Sequence, residues 1–277
     1  MKKMLSAMLA MAMVFSLAAC GKKDQPAAGS QSGAQSTSGS QSTAGDLTYA
    51  VEAGSAGEEV AKANGFKTVS VETQAMALME VDSGTADAAI IDLLLAGAMV
   101  GEGTSYPNIK VTDQKLNSEE YGVGCRKGSD LASFINSVFG ETYADGSLQE
   151  LAKTYGVQEA LLEQSASDFV ASETDSDVKY IQEKGKLVVG ITEFAPMDYK
   201  DANGEWIGFD ADMAIIVAEK LGVEVEFVVI DWDMKVNELD SKNIDVVWNG
   251  MTLTEGVMAA MECTNAYCQN AQVVVTK

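Results

Sequence analysis

The chain contains no histidine. That removes the serine–histidine triad, the cysteine–histidine pair and imidazole metal ligands together. Its only arginine is Arg126, so a guanidinium fork for carboxylates exists at one position alone. Basic residues are scarce altogether: 19 against 41 acidic ones leave a net charge of -22. Such a surface argues against nucleic acid as a partner and suits solubility outside a cell. Of the four cysteines, Cys20 ends an apolar segment, leaving Cys125, Cys263 and Cys268. That odd number gives no complete disulfide framework; Cys263 and Cys268 either pair across a short loop or stay free thiols. No apolar run is long enough to span a bilayer. No metal cluster stands out, and neither a metal nor a cofactor is expected.

The first residues are Met1-Lys2-Lys3, then an apolar run to Leu17, then Ala18-Ala19-Cys20. A basic start, a short apolar stretch and small residues before a cleavage point predict a secretory signal over 1–20. A cysteine directly after Leu-Ala-Ala resembles the bacterial lipobox. This implies a lipid on Cys20 and anchoring at the outer face of the cytoplasmic membrane. Residues 21–45 are almost entirely Ser, Gln, Gly, Ala and Thr. They cannot bury enough apolar surface to order themselves, so they predict a flexible tether.

The most informative stretch is 187–254. Leu-Val-Val-Gly-Ile at 187–191 predicts a buried strand. Met213, Ile216, Val217 and Leu221 keep the period of a helix with one buried face, and Gly222 stops it. Strands follow over 223–230 and 244–248, with a short helix from Asp233 between them. Strands alternating with helices imply parallel pairing through right-handed crossovers. Ligands of such sheets sit beyond the carboxyl ends of the strands. Here those ends carry Glu193-Phe194, Asp231-Trp232 and the run 248–252.

Several motifs in this stretch act as a set: Gly190-Ile191-Thr192, Phe194-Ala195-Pro196-Met197, Gly208-Phe209-Asp210-Ala211-Asp212-Met213, Ile230-Asp231-Trp232-Asp233 and Asn249-Gly250-Met251-Thr252-Leu253-Thr254. Together they resemble the polar amino-acid binding proteins of ABC importers. The resemblance implies an α/β, two-lobed, periplasmic-binding-protein-like fold of type II, each lobe a mostly parallel sheet flanked by helices. It implies a receptor rather than an enzyme. Such a receptor closes on a small polar solute, an amino acid, and passes it to permease subunits.

Residues before 187 repeat the design. A strand at 47–51 leads into Gly54-Ser55-Ala56-Gly57 and a helix, then a strand at 68–71, a helix at 74–81 and a strand at 86–92. Glu80-Val81-Asp82-Ser83 with Asp87 matches Glu238-Leu239-Asp240-Ser241 with Asp245 at one common separation. The expected organisation is a ligand-binding lobe over 46–120, a return strand with helices over 121–160, a linker over 161–177 and the other lobe over 178–277. Members of the family begin with the block found here at 187–277, so the lobe order is that of a circular permutation; the rival account is a fragment of a tandem array. Permutation predicts that one covalent crossing, within 100–122, joins the lobes.

The resemblance also implies site residues. The segment at Ser55, Ala56 and Gly57 matches the one that holds a ligand carboxylate, where free amides and the helix dipole favour an anion. Asp92 matches the aspartate that takes the ammonium. Gly250 and Thr252 match backbone and hydroxyl contacts, and Phe194 and Trp232 match the aromatic walls. Trp248 either narrows the pocket or packs behind it. Glu52 and Glu193 stand beside the expected pocket and favour a cationic ligand group. Where relatives place a carboxylate-binding arginine, this chain has Val257. That departure leaves three options: the backbone amides at Ser55 to Gly57 act alone, a lysine substitutes, or the ligand is not a standard amino acid. It also supports a second reading, a degenerate or sensory lipoprotein. A third, a dehydratase-like enzyme on the same fold, needs a general acid, for which Glu193 is the candidate.

Overall fold

A computed structural model describes residues 47–277. The expected signal segment, Cys20 and the tether lie outside the described residues.

The first half forms β1 (Thr48–Glu52), α1 (Ala56–Ala63), β2 (Lys67–Val71), α2 (Gln74–Ser83), β3 (Ala88–Asp92), α3 (Leu93–Met99) and β4 (Lys110–Lys115). Local chemistry sets the helix ends. The hydroxyl of Ser55 accepts the Glu58 amide at 3.1 Å, and that of Thr73 accepts Met76 at 3.1 Å, satisfying first-turn donors. Gly84 ends α2 in the left-handed region. All five residues of β3 are buried, as expected of a strand inside a parallel sheet.

The chain then passes through β5 (Glu119–Tyr121) and β6 (Gly124–Cys125), and through α4 (Leu131–Asp145) and α5 (Ser147–Thr154). After 161–176, which carries no helix or strand beyond a bridge at Leu161, come α6 (Asp177–Lys184), β7 (Lys186–Ile191), β8 (Tyr199–Lys200) and β9 (Trp206–Ile207). These are followed by α7 (Phe209–Leu221), β10 (Glu224–Val229), α8 (Lys235–Asp240), β11 (Val246–Val247) and α9 (Glu255–Ala260). The last strands are β12 (Glu262–Cys263), β13 (Cys268–Asn270) and β14 (Gln272–Thr276).

Two five-stranded sheets result, ordered β2-β1-β3-β14-β4 and β10-β7-β11-β6-β12. In each, the first three strands are parallel and the fourth is antiparallel. The two sheets therefore share one plan, and the protein is a two-lobed α/β molecule of type II periplasmic-binding-protein-like architecture. The turn shared by Glu80 and Glu238 is reproduced in detail. The Glu80 carbonyl accepts the Thr85 and Ala86 amides at 2.9 and 3.0 Å; the Glu238 carbonyl accepts those of Asn243 and Ile244 at 3.0 and 3.4 Å.

The structure corrects the expectation of a single crossing. β14 lies inside the first sheet, with Val273, Val274 and Val275 opposite Ile91, Ile90 and Ala89, so 178–277 does not stay within one lobe. The hinge is two strands, β5 and β13, lying antiparallel with Cys268 opposite Tyr121. The apolar run at 273–275 demands a sheet interior, but only pairing with β3 and β4 decides which sheet.

The segment 161–176 is tied down. Asp130 accepts the Ser172 and Val178 amides at 3.0 and 3.1 Å and the Ser176 hydroxyl at 2.5 Å. Arg126 is buried, forking onto Asp177 and donating to the Ile244 carbonyl at 2.8 Å. The sole arginine is thus spent on structure, beside the Asp245 carboxylate that Lys184 also reaches at 2.5 Å. Cys125, Cys263 and Cys268 are free thiols. Among the described residues no helix is long and apolar enough to cross a membrane, and no cluster of metal-ligating side chains occurs.

Candidate functional site

The carboxyl ends of β1, β3, β7 and β11 face one another across the gap between the sheets, and the turns that leave them line a cleft. From the first lobe come Glu52, Gly54, Ser55, Ala56 and Asp92; from the second come Phe194, Trp232, Lys235, Gly250 and Thr252. The cleft is closed. Its enclosed volume is about 20 Å³, room for about one water molecule. A neighbouring cavity of about 480 Å³ shares Ala56, Glu59, Thr252 and Thr254 with it.

The lobes meet at Gly54. It adopts φ +69°, and a Cβ there would stand 2.8 Å from the Asp233 Cα, so only glycine permits both the turn and the approach. The Lys235 ammonium crosses the gap to the Gly54 carbonyl at 2.9 Å, also bonds the Trp232 carbonyl at 3.1 Å, and lies 4.9 Å above the Trp232 ring. Burial lowers the Lys235 pKa from its usual value, against the opposing pull of Glu52. Trp232 and Lys235 are three residues apart at the start of a helical stretch, a spacing that places both on one face. That spacing was the signal available in the sequence; the burial of a lysine was not.

The turn after β11 rests on buried carboxyls. Asn249 bonds Thr192 through its amide oxygen and Asp198 through its amide nitrogen at 2.7 Å. The Gly250 amide donates to Asp210 at 2.7 Å, and the Tyr267 hydroxyl donates to the same oxygen at 2.7 Å. Gly250 has φ +54°, and a Cβ would fall 2.6 Å from the Phe194 ring. The Thr252 hydroxyl donates to Glu119 at 3.0 Å.

Asp92 lines the cleft, but both its oxygens already accept hydrogen bonds. Its Oδ1 accepts from Asn270, the Tyr121 hydroxyl at 2.9 Å and Gln272 at 3.0 Å, and its Oδ2 from Gln74. Burial and the nearby Glu119 hold its pKa well above the usual range. Glu52 is the opposite case. It is 4% exposed, its Oε1 has no hydrogen-bond partner, and burial pushes its pKa up to about 8.

Other expected residues lie elsewhere. Glu193 is exposed and faces a separate cavity with Ala75, Ser105 and Tyr199; it follows the buried Thr192 on the side that points outward, and it does not join the cleft. Trp248 has no exposed surface and packs edge-on against Phe139, ring centroids 5.7 Å apart. It stands behind the cleft, not in it. Gly57 is buried against β3 and β14, where a Cβ would meet Gln272 at 2.9 Å and the Ile90 carbonyl at 3.1 Å. Val257, at the position expected to lack a cation, does line the cleft. Sequence reading passed over Gln74, Glu119 and Asn249, whose polar partners come together only in the fold.

A closed cleft thus lies between two like-built α/β lobes, walled by Phe194 and Trp232 and lined by both acidic and basic side chains. Residues 187–277 match the family of bacterial extracellular solute-binding proteins, family 3. A probable amino-acid ABC transporter-binding protein of Haemophilus influenzae is 35% identical over 97 residues, 34% of this chain and 38% of that protein. The arginine-binding extracellular protein ArtP of Bacillus subtilis is 30% identical over 95 residues, 34% of this chain and 37% of that protein. Among solved structures, an ancestral cationic amino acid solute-binding protein is 39% identical over 30% of this chain and 37% of its own, with a TM-score of 0.30. The chain matches 38% and 37% of the length of these two curated relatives.

Proposed function

We propose that this protein is an extracytoplasmic receptor that binds an amino acid between its lobes and delivers it to an ABC importer. The observation that carries the reading is the cleft. Glu52, Ser55 and Ala56 of one lobe face Phe194, Trp232 and Gly250 of the other across a space that only lobe opening can enlarge. A ligand touching both sides favours closure through its differential contacts with the closed form. Relatives named for arginine, cystine and histidine binding set the ligands to try first. Lipid on Cys20 would hold the receptor at the membrane. Labelled palmitate incorporation that disappears in Cys20→Ala tests this.

The permuted lobe order belongs to the same reading. Tyr49 and Thr276 flank Ala88 on opposite sides, about two strand spacings or 10 Å apart. A short connection would join β14 to β1 in the unpermuted order. The dehydratase-like reading has less support, because Glu193, its candidate proton donor, is exposed and outside the cleft.

A thermal-shift screen of the chain against amino acids tests the receptor. A ligand at a hundredfold excess over its Kd raises stability by about 2.7 kcal/mol. A clear upward shift with one or a few amino acids supports the receptor. No shift from a well-folded chain favours the degenerate lipoprotein.

A further inference from the structure

We propose that Lys235 and the first turn of α1, facing each other across the cleft, hold the ligand's carboxylate, while Glu52 takes its ammonium. This rests on the receptor reading and adds the site's polarity and the residues that set it.

A zwitterion placed in so closed a space needs a partner for each charge, since an unpaired buried charge is costly. Among the residues lining the cleft Lys235 is the only basic one. The single arginine is committed to Asp177 and Asp245, and Val257 presents no charge. Lys235 has three donors. Two rest on the Gly54 and Trp232 carbonyls, which fixes the ammonium directly at the turn that opens α1. There Ala56 begins the helix; the Ser55 hydroxyl takes the Glu58 amide, which leaves the Ala56 and Gly57 amides without a partner within the helix. The cation and the helix end belong to different lobes, so one carboxylate contacting both would join them.

Glu52 gives an independent sign of a missing partner. It leaves β1 into the same cleft, is buried, and has an oxygen with no hydrogen bond. Asp92, the other buried acid there, has no oxygen without a partner, since Oδ1 and Oδ2 both accept side-chain hydrogen bonds. The ammonium therefore goes to Glu52 rather than to Asp92.

Titration calorimetry of the full chain tests this with matched pairs: L-arginine and agmatine, L-lysine and cadaverine, L-histidine and histamine, L-cystine and cystamine. Each amine lacks only the carboxylate groups of its partner. The wild type binds at least one amino acid about 10- to 100-fold more tightly than its amine, the size of a hydrogen bond to a charged group. In Lys235→Met the amino acid falls to the level of the amine, and Lys235→Arg keeps most of the gap. Glu52→Gln weakens amino acid and amine alike. Melting curves of each unliganded variant establish that it is folded. A gap that persists in Lys235→Met overturns the assignment and leaves the receptor standing. Absence of binding by the wild type to every amino acid overturns the receptor reading and this one with it.

Discussion

The Gly250 amide and the Asp210 carboxylate are joined by a 2.7 Å hydrogen bond within a fully buried setting. Through it, α7 fixes the turn that forms one wall of the cleft. Asp210→Ala orphans the Gly250 amide and the Tyr267 hydroxyl, each costing about 1–3 kcal/mol. Urea denaturation should show that loss. Asp210→Asn should recover part of it, because an amide oxygen still accepts.

Stability should depend on pH in an unusual sense. Burial pushes Glu52 up to about 8 and Asp210 up to about 7, and it holds Asp92 and Asp198 well above the carboxylate range. The folded chain thus keeps protons that the unfolded chain releases above about pH 4. The stability from these groups is full below that point and is lost as pH rises through about 7 and then 8. The melting temperature of the unliganded chain should fall from pH 5 to pH 9. Glu52→Gln should flatten the upper part of that fall; a rise across the range contradicts the assignment.

Trp248 should behave as core and not as ligand contact. Trp248→Ala removes an unexposed ring packed on Phe139 and should cost about 3–5 kcal/mol in denaturant. Trp232→Ala, at the cleft surface, should cost less stability and more affinity. Equal losses of affinity in both variants would place Trp248 in the site after all.

The Arg126 fork makes a separate prediction about the segment that joins α5 to α6. Arg126→Ala leaves Asp177 and Asp245 with less compensation, and breaking a buried pair costs about 3–5 kcal/mol. Limited proteolysis should then cut within 161–176 faster than in the wild type. Unchanged cutting would show that Asp130 alone secures the segment.

The sequence showed what local periodicity and capping can encode. The β1 to β3 unit, its echo in β7 to β11, the Gly222 stop and the Glu80 and Glu238 turns were all legible, because each depends on neighbours a few residues away. What it hid depends on distant pairing. β14 reads as a buried strand, but its place between β3 and β4 is set by residues nearly two hundred positions earlier. Asp92 matches an ammonium-binding aspartate, and its partners Asn270 and Gln272 were hidden because they arrive from the far end of the described chain. The burial of Lys235 likewise depends on a distant partner, the Gly54 carbonyl of the other lobe. Glu193 looked inward by position, and the path of the strand end turns it out.

Titration of the chain with L-arginine, L-lysine, L-histidine and L-cystine, followed by tryptophan fluorescence, tests the receptor most directly. Trp232 lies on the cleft wall, so the account predicts a saturable signal change with at least one of them, lost in Gly250→Ala, where the new Cβ meets Phe194. A flat response to all four from a folded protein, or a response that survives unchanged in Gly250→Ala and Trp232→Ala together, would contradict it.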